Sequence, residues 1–160
     1  MRNRGFTLIE LMVVLLIAGI VLAAGVPVLH NIIADQQLIA AGNAFFHSTS
    51  LTRSEALRHG RRADMTPADG RDWQNGWVIK VGERTVMTQP PLPDGITVAY
   101  TQGGELVAYQ PGGRPVTRGS WYFRSGGAGN ASRVVIINFL GRVRVCNPLA
   151  DNSCARAVED

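Results

Sequence analysis

The first thirty residues of the chain are almost uniformly apolar. An apolar run extends from Leu11 to Leu29, and Glu10 at its head is the only charged side chain between Gly5 and Leu29. A helix of this length can cross the ~30 Å hydrocarbon core of a bilayer. Two arginines precede Gly5, and a basic flank keeps that end cytoplasmic. The pattern predicts a transmembrane helix over residues 6–29.

After the apolar run the pattern becomes that of an amphipathic helix. Apolar side chains recur near helical spacing between polar residues: Leu38, Ala41, Phe45 and Leu51. Gly60 is a natural left-handed helix cap. We therefore predict that residues 30–60 continue the same helix, which would be ~80 Å long at 1.5 Å per residue.

Beyond Gly60 the chain changes to short β-type runs separated by glycine, proline, asparagine and aspartate. The predicted strands are residues 77–81, 84–88, 96–101, 106–109, 120–123, 133–139 and 142–146. Strands that follow one long helix with short connections favour an antiparallel sheet packed on that helix. The expected fold class is α+β, with residues 61–160 as a β-sheet head.

Glu10 is out of place in its surroundings. A carboxylate inside a membrane helix costs about 2.5–3.5 kcal/mol, so it requires a positively charged partner. A cut after Gly5 would create a free amine on Phe6, either about one helical turn from Glu10 or on a neighbouring copy. The second arrangement lets each new subunit neutralise the previous one within the membrane, which is a mechanism for ordered polymerisation.

The segment GFTLIEL, from Gly5 to Leu11, resembles the class III signal of type IV prepilins and type II secretion pseudopilins. The resemblance implies that residues 1–5 are a leader peptide. It also implies that a prepilin peptidase cuts between Gly5 and Phe6 and N-methylates Phe6, and that Glu10 is the assembly carboxylate for contacts with other pilins. Such a protein crosses the bacterial inner membrane once, holds its head in the periplasm and then enters a filament at the cell surface.

A secretory signal peptide or a simple membrane anchor would also explain an apolar N-terminus. Ala23-Ala24-Gly25 resembles a small-residue cleavage site. A generic signal peptide has no use for a carboxylate at the head of its apolar core, which favours the prepilin interpretation.

Charge does not by itself indicate a partner. The formal net charge is +4, Lys80 is the only lysine, and Arg2 and Arg4 would leave with the leader. Roughly 130 residues would remain outside the bilayer, which is enough for one domain with a modest core.

Cys146 and Cys154 are the only two cysteines. Behind an export signal they are expected to form a disulfide in the oxidising periplasm. A metal site is disfavoured, because two cysteines without matching histidine or cysteine partners do not make a zinc site.

No arrangement of residues points to catalysis. His30, His47 and His59 are scattered along the predicted helix, without the spacing of a triad or a metal site. No glycine-rich phosphate loop follows a strand. We therefore predict neither enzymatic activity nor a metal or cofactor.

Three segments of the head resemble the GspH/FimT family of minor pilins and pseudopilins: residues 53–56 (RSEA), residues 72–77 (DWQNGW) and the closing strand at residues 141–142. The resemblance implies a type IV pilin fold. Within these segments, Trp73 and Trp77 are predicted to belong to the core.

The closing strand carries the candidate site of the head. Side chains alternate along a strand, so Arg142 and Arg144 share one face while Val143 and Val145 face the core. The arginine Cα atoms would lie roughly 6.5–7 Å apart, close to the spacing of successive phosphates along one strand of nucleic acid. Guanidinium groups suit phosphate oxygens and give affinity without sequence preference.

Residues 141–144 match the GRxR motif of FimT proteins that bind DNA during natural transformation, so the resemblance implies a DNA-binding role for Gly141, Arg142 and Arg144. Exposed arginines are also typical of a solvated face or a guarded sheet edge. Other charges near these residues in sequence would widen or weaken such a patch: Arg124, Arg133 and Arg156, and Asp151, Glu159 and Asp160.

We therefore expect a minor pilin at or near the tip of a type IV pilus that captures extracellular DNA for uptake. The alternative is a structural minor pilin or GspH-type pseudopilin that primes filament assembly in a pilus or type II secretion system without binding DNA. An export-anchored periplasmic binding domain is a third possibility.

Overall fold

The structure is a computed structural model that describes residues 7–101, 103–126, 131–151 and 154, with the side chains of residues 24–28 left out of the description. One long helix precedes eight strands and a short 3₁₀ helix at Trp73–Asn75. The elements are α1 (Leu8–His59), β1 (Ala63–Pro67), β2 (Trp77–Val81), β3 (Arg84–Gln89), β4 (Ile96–Tyr100), β5 (Val107–Tyr109), β6 (Gly119–Ser125), β7 (Ser132–Ile137) and β8 (Val143–Cys146).

Local signals fix both ends of α1. Thr7 and Glu10 form a capping box, in which the Thr7 hydroxyl accepts from the Glu10 backbone and the Glu10 carboxylate accepts from the Thr7 backbone. Gly60 is left-handed, with φ 57° and ψ 27°, as a helix C-cap requires. The predicted continuous helix that ends at Gly60 is therefore confirmed.

The strands form two antiparallel sheets. Sheet A has the order β3-β2-β1-β5 and sheet B has the order β4-β6-β7-β8. The outer half of α1 contacts strands of both sheets. The expected antiparallel head packed on one long helix is confirmed, and the structure adds its division into two sheets.

Phe45 is the centre of the core between α1 and the two sheets. Its ring centroid lies 5.1 Å from that of Trp73, 5.3 Å from that of Trp77, and 5.4 Å from those of Trp121 and Phe123. All five side chains are fully buried. Trp73 and Trp77 therefore belong to the core, as predicted.

The buried face of α1 carries its large apolar side chains at its beginning, and the small Ala56 is buried near its end. Leu38, Ala41 and Phe45 are buried as predicted, whereas Leu51 is only half-buried. The face then continues at helical spacing through polar side chains: Ser48, Thr49, Thr52 and Glu55. These positions bring the helix close to the sheets without adding a bulky apolar group.

One strand was not predicted, and one boundary differs at the candidate site. β1 lies inside sheet A between β2 and β5, although its sequence ADMTP has weak β propensity. Arg142, expected as the first residue of the last strand, instead closes the turn before β8. The other predicted strands agree with β2 to β8 to within two residues.

The first half of α1 has no packing partner among the described residues. Every large apolar side chain from Leu8 to Leu22 is more than half exposed. Among the residues that the structure describes, no helix combines the length and apolarity needed to cross a membrane. The predicted span over residues 6–29 includes Phe6 and the side chains of residues 24–28, which lie outside that description.

Candidate nucleic-acid interface

A tight turn joins β7 to β8 and carries the arginine motif. The Asn138 backbone N–H donates to the Arg142 carbonyl at 3.1 Å, and the Gly141 N–H donates to the Asn138 carbonyl at 2.9 Å. The Asn138 side-chain oxygen accepts from the backbone of Leu140 and of Arg142. This is a three-residue hairpin loop, with Gly141 at the left-handed position (φ 74°) that such a loop requires.

The turn is fastened to the helix and to sheet A through the Gly141 carbonyl. That oxygen accepts from the Arg53 guanidinium on α1 at 3.1 Å and from the Tyr109 hydroxyl on β5 at 3.4 Å. Burial raises the pKa of Tyr109 to about 12, and the nearby positive charge of Arg53 offsets part of that rise. The phenol therefore keeps its proton and acts as a donor at neutral pH.

Gly141 also has little room for a side chain. A Cβ at this position would lie 3.1 Å from Tyr109 Cε1, 3.2 Å from Pro115 Cδ and 3.3 Å from the Gly113 carbonyl oxygen. These contacts, together with the positive φ, explain why a glycine opens the motif. Its role in this structure is to place the turn.

Arg142 and Arg144 are both exposed, as the DNA-binding hypothesis requires. Val143 and Val145, which alternate with these arginines, pack against the core, so the predicted alternation of faces holds. Arg144 lies opposite Ile136 of β7. β8 also packs against α1, and Val145 lies close to Gly42 of the helix.

Two further exposed arginines lie near the turn, and sequence reasoning missed them. The strand registers put Arg118, one residue before β6, in line with Asn138 and Arg142. Arg114 belongs to the loop whose Gly113 packs against Gly141. No sequence motif marks either residue, because only the pairing of the strands brings them close to the β7–β8 turn.

The arginines suggested by proximity in sequence do not join the turn. Arg124 lies near the opposite end of β6, four residues and ~13 Å along the strand from the row that contains Arg144. The Arg133 side chain passes beside Gly42 of the helix and donates to the Ser132 carbonyl. Arg156, Glu159 and Asp160 lie outside the described residues.

The predicted disulfide between Cys146 and Cys154 is present. Both sulfurs are buried with Val134, and Tyr122 and Ile136 pack against this cluster. The alternation of side chains puts the cluster on the face of sheet B that points away from α1. The disulfide therefore closes a small second core directly after the arginine strand.

The N-terminal site residues are only partly described. The Glu10 carboxylate accepts from the Thr7 backbone N–H and from the Thr7 hydroxyl, both at 2.9 Å. Gly5 and Phe6, the predicted cleavage and methylation residues, lie outside the described part of the chain. Among the side chains that are described, no group of three or more histidine, cysteine or acidic residues could hold a metal ion.

Comparison with protein families identifies the chain. The profile described as type II transport protein GspH matches residues 41–141, and the profile described as prokaryotic N-terminal methylation motif matches residues 1–26. The chain belongs to the GspH family. This GspH-family protein is thus a minor pilin or pseudopilin, and the family is one of structural proteins.

Solved structures show the same fold at low sequence identity. The type IV minor pilin FimU of Pseudomonas aeruginosa is 18% identical, with a TM-score of 0.62 over 69% of this chain and 89% of that chain. The minor pseudopilin EpsH of the Vibrio cholerae type 2 secretion system is 14% identical, with a TM-score of 0.57 over 70% of this chain and 98% of that chain. No curated protein matches the sequence.

The family match stops at Gly141, one residue before Arg142. The GspH profile therefore covers the glycine of the turn but neither arginine of the motif. Membership of the family explains the helix and the head and leaves the function of the arginine strand open.

Proposed function

We propose that this GspH-family protein is a minor pilin that binds DNA through the turn between β7 and β8. One observation carries the proposal: Arg142, in the turn, and Arg144, in β8, are both exposed beside a turn that is fixed to the helix through Gly141. Because the backbone of the turn is already fixed, binding a phosphate there does not have to order the loop as well.

The neighbouring charges fit a phosphate backbone rather than a small anion. Arg118 and Arg142 lie in one row across two strand spacings, which is roughly 10 Å. A row of exposed cations along a sheet end suits an extended polyanion. Binding of this kind supplies affinity that depends on salt and not on base sequence.

The N-terminal segment would deliver this surface to a filament. Cleavage after Gly5 and methylation of Phe6 would leave an apolar helix, residues 6–29, that anchors the protein in the inner membrane. The exposed apolar side chains of Leu8–Leu22 would then pack against other pilins. Glu10, whose carboxylate caps its own helix in this structure, would exchange Thr7 for the amine of a neighbouring subunit.

A structural role without DNA binding is the second candidate. Its support is the family description itself, a type II transport protein. In that case the protein would prime or extend a pilus or pseudopilus. Neither candidate includes a catalytic function or a cofactor.

Titration of labelled DNA with the full-length protein in detergent micelles separates the two candidates. The double variant Arg142→Gln/Arg144→Gln should bind clearly more weakly than the wild type. The matched control is Arg84→Gln/Arg124→Gln, which removes the same charge from exposed strand positions away from the turn. Equal weakening in both variants would mean that binding depends only on net charge. No weakening in either variant would contradict DNA binding at the turn and favour the structural role.

A further inference from the structure

The tip of the β7–β8 turn carries two consecutive exposed apolar residues. Phe139 is 69% exposed and Leu140 is 57% exposed. The central positions of a turn usually hold polar residues or glycine, since they face solvent. Of the aromatic side chains that the structure describes, Phe139 is the most exposed, whereas the three tryptophans are fully buried.

Hydrogen bonds on both sides of Phe139 fix the backbone of the turn. Asn138 pairs with Arg142 through the backbone and accepts two more hydrogen bonds with its side chain. Gly141 is held by Arg53 and Tyr109. The aromatic ring is therefore presented from a fixed backbone, as a stacking platform requires.

Phe139 belongs to the same hairpin turn as Arg142. Only Leu140 and Gly141 separate Phe139 from Arg142. An aromatic face next to a row of cations matches single-stranded nucleic acid, in which each unpaired base has an exposed face a few ångströms from its phosphate. In a duplex the base faces are covered by their neighbours, and an apolar side chain reaches them only by unstacking a step.

We propose that Phe139 stacks on an unpaired base and so gives the arginine site a preference for single-stranded over duplex DNA. This inference rests on the proposed DNA-binding function and specifies its substrate. The arginines supply the interactions that both forms of DNA share. Phe139 supplies the interaction that only the single strand offers without distortion.

The test uses the full-length protein in detergent micelles and fluorescence anisotropy. The probes are an oligothymidine of about 15 nucleotides, a duplex of the same length, and a strand with the same phosphates but abasic sites. Phe139→Ala should weaken binding to oligothymidine roughly tenfold and leave duplex binding within about twofold. Phe139→Trp, which keeps an aromatic face, should retain the single-strand affinity.

Two controls separate stacking from a change in apolar surface or in the fold. Leu140→Ala removes a neighbouring exposed apolar side chain and should leave binding to both probes within about twofold. The wild type should bind the abasic strand about as weakly as Phe139→Ala binds oligothymidine. Thermal unfolding of Phe139→Ala should stay within about 3 °C of the wild type, because the substitution lies on the surface.

The outcomes that overturn the inference differ from those that overturn DNA binding. Unchanged oligothymidine binding by Phe139→Ala, or equal weakening on strand and duplex, would remove stacking and keep the arginine site. A wild type that binds none of the probes would remove the proposed function, and this inference with it.

Discussion

The two halves of α1 differ in how polarity relates to burial. In the first half the large apolar side chains from Leu8 to Leu22 are more than half exposed. In the second half Ser48, Thr49 and Thr52 are buried, and Glu55 is only 7% exposed. The same helix thus exposes its most apolar residues and buries polar ones.

The difference shows which half of the helix has its packing surface covered by the rest of the same chain. The second half is covered by both sheets, and its buried Glu55 pairs with His59 at 3.2 Å and with Arg58 at 3.6 Å. The first half finds no such cover among the described residues. Its apolar surface therefore requires lipid or other subunits, as the methylation motif at residues 1–26 implies. This division between the halves can be tested by substitution.

The largest expected effect is on assembly through the first half. Glu10→Val should leave membrane insertion intact, because the substitution removes a charge from an apolar segment, but should block incorporation into filaments. Cell fractionation measures insertion, and immunoblotting of sheared filaments measures incorporation. Thr7→Val removes the capping hydroxyl and keeps the carboxylate, so it should still be incorporated. Normal incorporation of Glu10→Val would contradict the assembly role.

The second half should instead control the stability of the head. Phe45→Ala removes the ring that packs against Trp73 and Trp77 and should cost about 3–5 kcal/mol of unfolding free energy. Leu16→Ala, on the same helix but 64% exposed, should leave the head unchanged. Denaturant unfolding followed by tryptophan fluorescence measures both, and similar destabilisation of the two variants would erase the distinction between the halves.

A smaller effect is expected on the face of sheet B away from the helix. Replacing Cys146 and Cys154 by serine should cost about 2–3 kcal/mol, because the disulfide closes only a short loop. The core around Phe45 lies on the other face and should remain folded. Near-ultraviolet circular dichroism reports the tryptophans in that core. Collapse of their signal in the serine variant would show that the two faces are not independent.

The smallest effect appears only at alkaline pH and concerns the hydrogen bond between Tyr109 and the turn. The folded-state pKa of Tyr109 is about 12, against an ordinary pKa of 10.0 for tyrosine. A raised pKa means that its stabilising contribution is full below pH 10 and declines as the pH rises toward 12. The decline should be on the order of 2 kcal/mol. Tyr109→Phe should lack this dependence, and an equal decline in that variant would assign it to other groups.

Much of the fold follows from local patterns. The glycine cap at Gly60 and the β-type runs beyond it are short-range signals, and the structure agrees with them. The cysteine pair was also predictable, since short spacing and an export signal suffice. The exposure of Arg142 and Arg144, by contrast, is a finding of the structure.

What sequence could not show depends on the packing of distant segments. β1 carries alanine, methionine and proline at its buried positions, and only its neighbours β2 and β5 make it a strand. The buried hydroxyls of α1 look like a solvated face until the sheets cover them. Likewise, only the strand register puts Arg118 in line with Arg142 and keeps Arg124 away from the turn.

The salt dependence of DNA binding tests the central claim most directly. For duplex DNA the slope of log K against log salt becomes shallower by ~0.9 for each phosphate that the protein no longer neutralises, so Arg142→Gln/Arg144→Gln should flatten it by ~1.8. The matched Arg84→Gln/Arg124→Gln variant should keep the wild-type slope. A slope that is the same in the wild type and in the Arg142/Arg144 variant would contradict the account.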